Sequence, residues 1–206
     1  RRHGVARRGI HVEIDIAAPM EHLWALTQDP ELHPRWDVRF SRIQPTGTDA
    51  SGMQRFTYER RTPLHTVRGT GVSLGELLRP DGTRTSALRF STTDRLSPIR
   101  RGRGYWRYIP QRDGRVRFVT GYDYDPGWGP ADVLVRPLLG WATAWSFDRL
   151  RIWAETGVAP ERWGLVSVLA WWRADRPRAA RCGRRPAGRH ALDDAPATLA
   201  DLREPT

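Results

Sequence analysis

Residues 131–156 carry the one long apolar stripe in this chain, and they follow a stretch cut into short alternating segments by turn chemistry. Leu134, Leu138, Trp141, Trp145 and Ile152 recur at helical spacing, and Ala144, Phe147 and Leu150 widen that face. Gly157 follows as a residue suited to the left-handed conformation that ends helices. A stripe of this kind must be covered by another layer. Pro137 and Gly140 fall inside it and predict a kink or a late start.

The covering layer is legible upstream. His11 to Ile16 alternates polar and apolar, which predicts a strand with Val12, Ile14 and Ile16 inward. Pro19 then starts a helix at the position where a missing N–H costs nothing. Met20, Leu23, Trp24 and Thr27 form its face, Asp29-Pro30 ends it, and residues 30–36 read as a second, very short helix or turn. Strands are expected at 38–44, 53–60, 65–73, 84–92, 103–110 and 115–124, separated by Thr46-Gly47, Ser51-Gly52, Pro80-Asp81-Gly82 and Asp113-Gly114. Successive hairpins give an antiparallel sheet, which can leave one face wet, and that suits the arginines alternating along these strands. The fold class is α+β: a curved antiparallel sheet of about seven strands with the long helix across its concave face.

Composition sets the outer bounds. No apolar run approaches the ~20 residues of a membrane-spanning helix. The opening RRHGVARRGI has charge but no apolar run behind it, so no secretory leader is expected and the expected location is cytoplasmic. One cysteine, Cys182, excludes an internal disulfide and a Cys-based structural zinc site. All 34 basic residues are arginine, including those at plain surface positions, which reads as genome composition before function. The net charge of +11 gathers at the ends, with four Arg in the first eight residues and seven in 173–190. The expected organisation is a basic tail (1–9), a domain (10–158), an additional apolar helix (159–173), and a disordered Arg/Ala/Pro-rich tail (174–206).

IDIAAPMEHLWALTQDPELHPRWDVRFSRI (14–43) resembles the opening of the SRPBCC superfamily: a strand, an Ala-Pro helix start, a Trp in the helix, Asp-Pro, and a later Trp. That superfamily includes START lipid-binding domains, polyketide cyclase/dehydrase-like proteins and birch-pollen-allergen-like proteins. GYWRYIPQRDGRVRFVTGYDYDPGWG (104–129) and PLLGWATAWSFDRLRIWAETG (137–157) resemble uncharacterised bacterial members. The resemblance covers roughly residues 10–157. It implies the helix-grip fold and a hydrophobic cavity between sheet and helix.

Strand periodicity puts Phe56 with Tyr58, Trp106 with Tyr108, and Phe118 with Tyr122 and Tyr124 on shared faces. All of these except Tyr124, together with Phe90, Trp141 and Trp145, are the candidate ligand-binding set. Each taken singly reads first as core; the group as a whole reads as a cavity lining, and that case leans on the resemblance. The expected ligand is a small hydrophobic or amphipathic molecule, lipid or polyketide-like. An aromatase/cyclase-type enzyme is the alternative, and it would need an acid/base group inside. Tyr58, Tyr108, Tyr122 and Asp148 are the residues to inspect, but no catalytic constellation stands out. The six histidines lack metal-ligand spacing, GTGVSLG (69–75) lacks the Lys-Ser/Thr of a phosphate loop, and no metal or cofactor is expected.

WGLVSVLAWWRADRPRAARCGRR (163–185) reads as an apolar helix ending in Trp171-Trp172 and followed by arginines. That combination suits the surface of an anionic membrane, with residues 163–189 as a peripheral anchor at the inner face. The competing reading is a helix packed on its own domain and a solvated tail. Specific nucleic-acid binding is not expected, because the aromatics do not interleave with the basic runs. Arginines around Cys182 would favour its thiolate. Oligomeric state leaves no mark in the sequence.

Overall fold

The computed structural model describes residues 9–75 and 78–205; all but the last residue of the basic N-terminal tail lies outside that range. Seven antiparallel strands form one sheet: β1 (Ile10–Ile16), β2 (Arg42–Thr48), β3 (Gln54–Arg61), β4 (Thr66–Gly75), β5 (Arg84–Ser91), β6 (Ile99–Pro110) and β7 (Val116–Pro126). Their order is β1-β7-β6-β5-β4-β3-β2, so every neighbour except β1/β7 is a hairpin neighbour. Helices α1 (Met20–Gln28) and α2 (His33–Trp36) connect the two edge strands, and α3 (Asp132–Thr156) closes the concave side. This is the helix-grip arrangement.

The core forms where α3 meets β1, β6 and β7. Val12, Ile16, Tyr108, Phe118, Trp145, Phe147 and Leu150 have essentially no solvent exposure, and Trp36 from α2 is sealed with them. Phe118 and Phe147 stack at 4.5 Å between ring centroids, and Trp36 meets both edge-on. The Trp36 indole donates to the Leu26 carbonyl at 2.9 Å, which ties α2 to the end of α1. The first edge strand therefore alternates as its sequence predicts.

Three expectations are corrected. The strand expected at 38–44 begins instead at Arg42, because Asp37 to Phe40 cross from α2 to the sheet around a buried Asp37–Arg39 pair. The helix expected over 159–173 is two 3-10 turns, Pro160–Arg162 and Leu165–Leu169. Gly164, in extended conformation, separates them, and Trp163 is buried between Arg162 and Arg173. Pro137 does not delay α3, because its lost bond to the Val133 carbonyl falls on an exposed turn.

The segment 174–206, expected to be disordered, is packed through residue 205. Its arginines replace secondary structure by donating to backbone carbonyls: Arg176 to Ala170, Arg178 to Arg173, Arg181 to Ala174 and Arg176. Asp148, fully buried on α3, accepts from the Arg178 N–H and from Arg181 at 2.8 Å each, and from Arg151 at 2.7 Å. Gly183 then bridges to Glu13 on β1. The chain crosses the convex face of the sheet, where Leu199 in α4 (Thr198–Asp201) and Leu202 just after it bury against Met53, Val72 and Ala87. Arg89 reaches Glu204, and Tyr105 donates to the Ala191 carbonyl. Three leucines, Leu192, Leu199 and Leu202, and a few small residues carry this contact, too few to register as a core pattern in sequence.

Removing residues 174–206 should therefore destabilise the protein. Burying each leucine contributes ~1.5–3 kcal/mol, and Asp148 loses two of its partners. At ~2–4 °C per kcal/mol for a chain of this size, the thermal midpoint should fall by about 10 °C or more. A truncated chain that melts within a few degrees of the full one would show that the segment does not pack.

Candidate functional site

Between α3 and strands β2–β5 lies a cavity of about 910 Å³. It exists because α3 packs on the β1 side of the sheet and leaves the other half uncovered. Its sheet wall is built from cross-strand pairs of a ring and a glycine: Phe56 opposite Gly71, Tyr58 opposite Gly69, Phe90 opposite Gly102. A Cβ at Gly71 would stand 2.2 Å from the Phe56 ring, one at Gly69 2.4 Å from Tyr58, and one at Gly102 2.1 Å from Phe90. The rings thus lie flat along the sheet and do not stand up into the space. The first two glycines of GTGVSLG, Gly69 and Gly71, serve this close approach.

Of the nine residues expected to line a site, Phe56, Tyr58, Phe90, Trp106, Tyr122 and Trp141 border the cavity. Tyr108, Phe118 and Trp145 do not; they are core. Tyr108 is held between Thr27 Oγ1 at 2.7 Å and the Gln28 amide at 2.8 Å. Trp145 lies behind Trp141, stacked at 6.3 Å. Periodicity puts the strand residues among them on shared faces and Trp141 and Trp145 on the helix stripe, but it cannot say where along each strand the helix sits. Asp148 faces the C-terminal segment and is far from serving as an internal acid. Burial raises the Tyr58 hydroxyl to about 12, so it stays protonated at neutral pH.

One end of the lining is polar, and the sequence reading missed it. Asp37 accepts two bonds from the Arg39 side chain, Nε at 2.9 Å and Nη2 at 2.7 Å, and one from His33 Nε2 at 3.1 Å. Burial alone would raise the Asp37 carboxyl, but the Arg39 charge and these bonds outweigh it and hold it well below the usual carboxylate range. The guanidinium of Arg39 lies over the Tyr122 ring at 5.2 Å. His33 has its other nitrogen on the Thr27 carbonyl at 2.9 Å, so both ring nitrogens are engaged. The short Asp-x-Arg spacing after Trp36 was the available signal.

At the other side the lining grades into exposed apolar residues. Leu96, Trp128, Leu138 and Leu165 both border the cavity and reach solvent, which defines an apolar mouth. Leu134 and Leu138, expected in the buried stripe, are 75% and 63% exposed. They extend the stripe of α3 past the end of the core. Nearby in the chain, Val166, Leu169, Trp171 and Trp172 are also exposed. Cys182 is corrected too: burial against α3 pushes its thiol up to about 12, and it donates to the Ala144 carbonyl. Among the described residues no cluster of His, Cys, Asp and Glu is arranged to hold a metal ion.

A flat-walled sheet gripping one helix around a partly apolar cavity defines a helix-grip domain of the START/SRPBCC class. The chain belongs to the polyketide cyclase / dehydrase and lipid transport family, whose model matches residues 7–152. It is 41% identical over 169 residues to the Bacillus subtilis (strain 168) protein described as "Uncharacterized membrane protein YndG". That match covers 79% of this chain and 63% of the relative, so the chain spans less than two thirds of it. Two solved structures share the fold. One is the di-domain ARO/CYC StfQ from the steffimycin biosynthetic pathway, with TM-score 0.51, 15% identity, and coverage of 71% of this chain and 44% of that one. The other is the human StarD13 (DLC2) lipid transfer and protein localization domain, with TM-score 0.50, 12% identity, and coverage of 70% and 75%.

The Asp37–Arg39 pair yields a stability test. Asp37→Asn leaves a buried guanidinium unpaired and should cost ~3–5 kcal/mol by urea denaturation. Because the folded Asp37 carboxyl lies below its unfolded value, the pair stabilises fully above the unfolded value of ~3.9, and that contribution is lost as pH falls through the folded value. A cost under ~1 kcal/mol would place the pair in water.

Proposed function

We propose that this protein binds a small hydrophobic or amphipathic molecule in the cavity between α3 and β2–β5. The observation that carries this reading is the cavity itself, about 910 Å³, walled by flat-lying aromatics and aliphatics with polar side chains such as Gln28, Gln54, Ser86 and Thr120 set among them. The family description and the StarD13 and StfQ neighbours are in keeping with it. A cyclase-type activity in the same cavity would need an acid/base group facing the substrate. Tyr108 and Asp148 lie outside the lining, both His33 nitrogens are engaged and the Tyr122 hydroxyl is bonded to Thr143, which leaves the Tyr58 hydroxyl as the acid/base candidate on the wall; the reading of binding draws on the whole lining. Native mass spectrometry of freshly purified protein should show a co-purifying mass. Leu88→Trp, which fills the cavity, should abolish it while moving the thermal midpoint by only a few degrees. A protein that carries and takes up no apolar molecule, or a filled variant that binds equally well, would overturn this assignment.

The second reading is peripheral attachment at a membrane, favoured by exposed Leu138 and Leu165 at the mouth and by exposed Leu134, Trp171 and Trp172 near them in the chain. Among the described residues no helix is long and apolar enough to cross a bilayer. An apolar loop rimmed with arginine suits an anionic surface, with the mouth opening directly onto lipid. The full chain should sediment with anionic vesicles and less with neutral ones, and salt should weaken but not abolish this. Replacing Trp171 and Trp172 with Ser should remove the salt-resistant part. Equal sedimentation with both vesicle types, or complete loss in salt, would refute insertion.

A further inference from the structure

Gln54, Phe56, Tyr58 and Arg60 are the inward-facing residues of β3, and all four border the cavity. Arg60 is half-buried there, and among the described residues it forms no ion pair or hydrogen bond. Most other arginines at comparable depth are committed: Arg39 to Asp37, Arg84 to Glu21, Arg89 to Glu204, Arg149 to the Pro160 carbonyl. The carboxylate whose field reaches Arg60 is Asp37. That carboxylate is already occupied on both oxygens by Arg39 and His33. The polar end of the cavity therefore holds two guanidinium charges against one carboxylate. Burial works against the charged form of Arg60, and Asp37 only partly offsets this. A cation that is partly stripped of water in an apolar cavity, with no protein partner, is a site for an anion supplied from outside.

We infer that the ligand is an amphiphile with an anionic headgroup, carboxylate or phosphate, which pairs with Arg60 while its apolar part lies along Phe56, Leu88, Phe90 and Trp106. This rests on the cavity-binding reading above. It adds that binding selects an ionised headgroup over a neutral one of equal chain length. Arg39 is neutralised by Asp37 and supplies the polar wall without carrying the selectivity.

The test titrates the full chain by calorimetry with tetradecanoate, tetradecyl phosphate and tetradecanol, each below its aggregation concentration. At least one of the two anions should bind tenfold or more tighter than the alcohol, and whichever does so names the headgroup. Arg60→Gln should lower that anion's affinity at least tenfold and leave the alcohol within twofold. Arg60→Lys should recover part of the difference. If the alcohol binds as tightly as both anions, or if Arg60→Gln leaves the preference intact, the inference is wrong and the cavity reading stands. If none of the three binds, the cavity reading fails and takes the inference with it. Should Arg60→Gln lose its near-ultraviolet dichroism, the wild-type preference and the Arg60→Lys variant decide the matter.

Discussion

The C-terminal half of α3 packs on β1, β6 and β7, and the geometry of that one contact governs the rest of the molecule. Ala144, Trp145, Phe147 and Leu150 have no exposure, and their partners Val12, Ile16 and Phe118 have none either. A helix seated so far toward one edge of a seven-stranded sheet cannot also cover β2 to β5. The uncovered strands must then either collapse or enclose a space. They enclose one because the side chains facing it are wide, flat rings laid over glycines, and the crossing segment from Asp37 to Phe40 props the far edge.

The same contact explains why the stripe on α3 is longer than the core. The helix runs 25 residues, yet its first two turns extend past the sheet and present Val133, Leu134 and Leu138 to solvent. Leu134 and Leu138 align with Trp141 and Trp145 on one face, so a single stripe passes from the interior, along the cavity wall, to the surface. Scattered exposed leucines need no explanation. A row continuous with a cavity mouth is a different matter, and it links the two functional readings.

Period-two alternation and turn residues were enough to read the hairpins and the inward faces of β1, β3, β6 and β7, since a half-buried strand writes its orientation residue by residue. The ring set was legible for the same reason. What separated cavity from core was not: Tyr108 and Tyr122 share a face orientation, and only the placement of α1 and α3 seals one and leaves the other lining the space. The covered convex face was hidden because Leu199 and Leu202 lie in a segment without period, and because hydrogen bonds from guanidinium to carbonyl leave no spacing signature. Arg39 and Arg60 looked like solvated strand residues, as most alternating arginines are.

The ring-over-glycine wall also sets how this protein could change what it accepts. Each of Phe56, Tyr58 and Phe90 rests on a bare patch of backbone whose only occupant is hydrogen. A single methyl at Gly71 or Gly102 would tilt one ring upward into the space it now borders, whereas one at Gly69 would also meet the Ser91 carbonyl. The volume lost would be centred on that ring, and because Tyr58 and Phe90 meet edge-on at 6.3 Å, a shift of either is passed to the other. The inner shape is thus set from beneath, by glycines that do not border the cavity. Selection could reshape the interior of a descendant chain without altering any side chain that faces it.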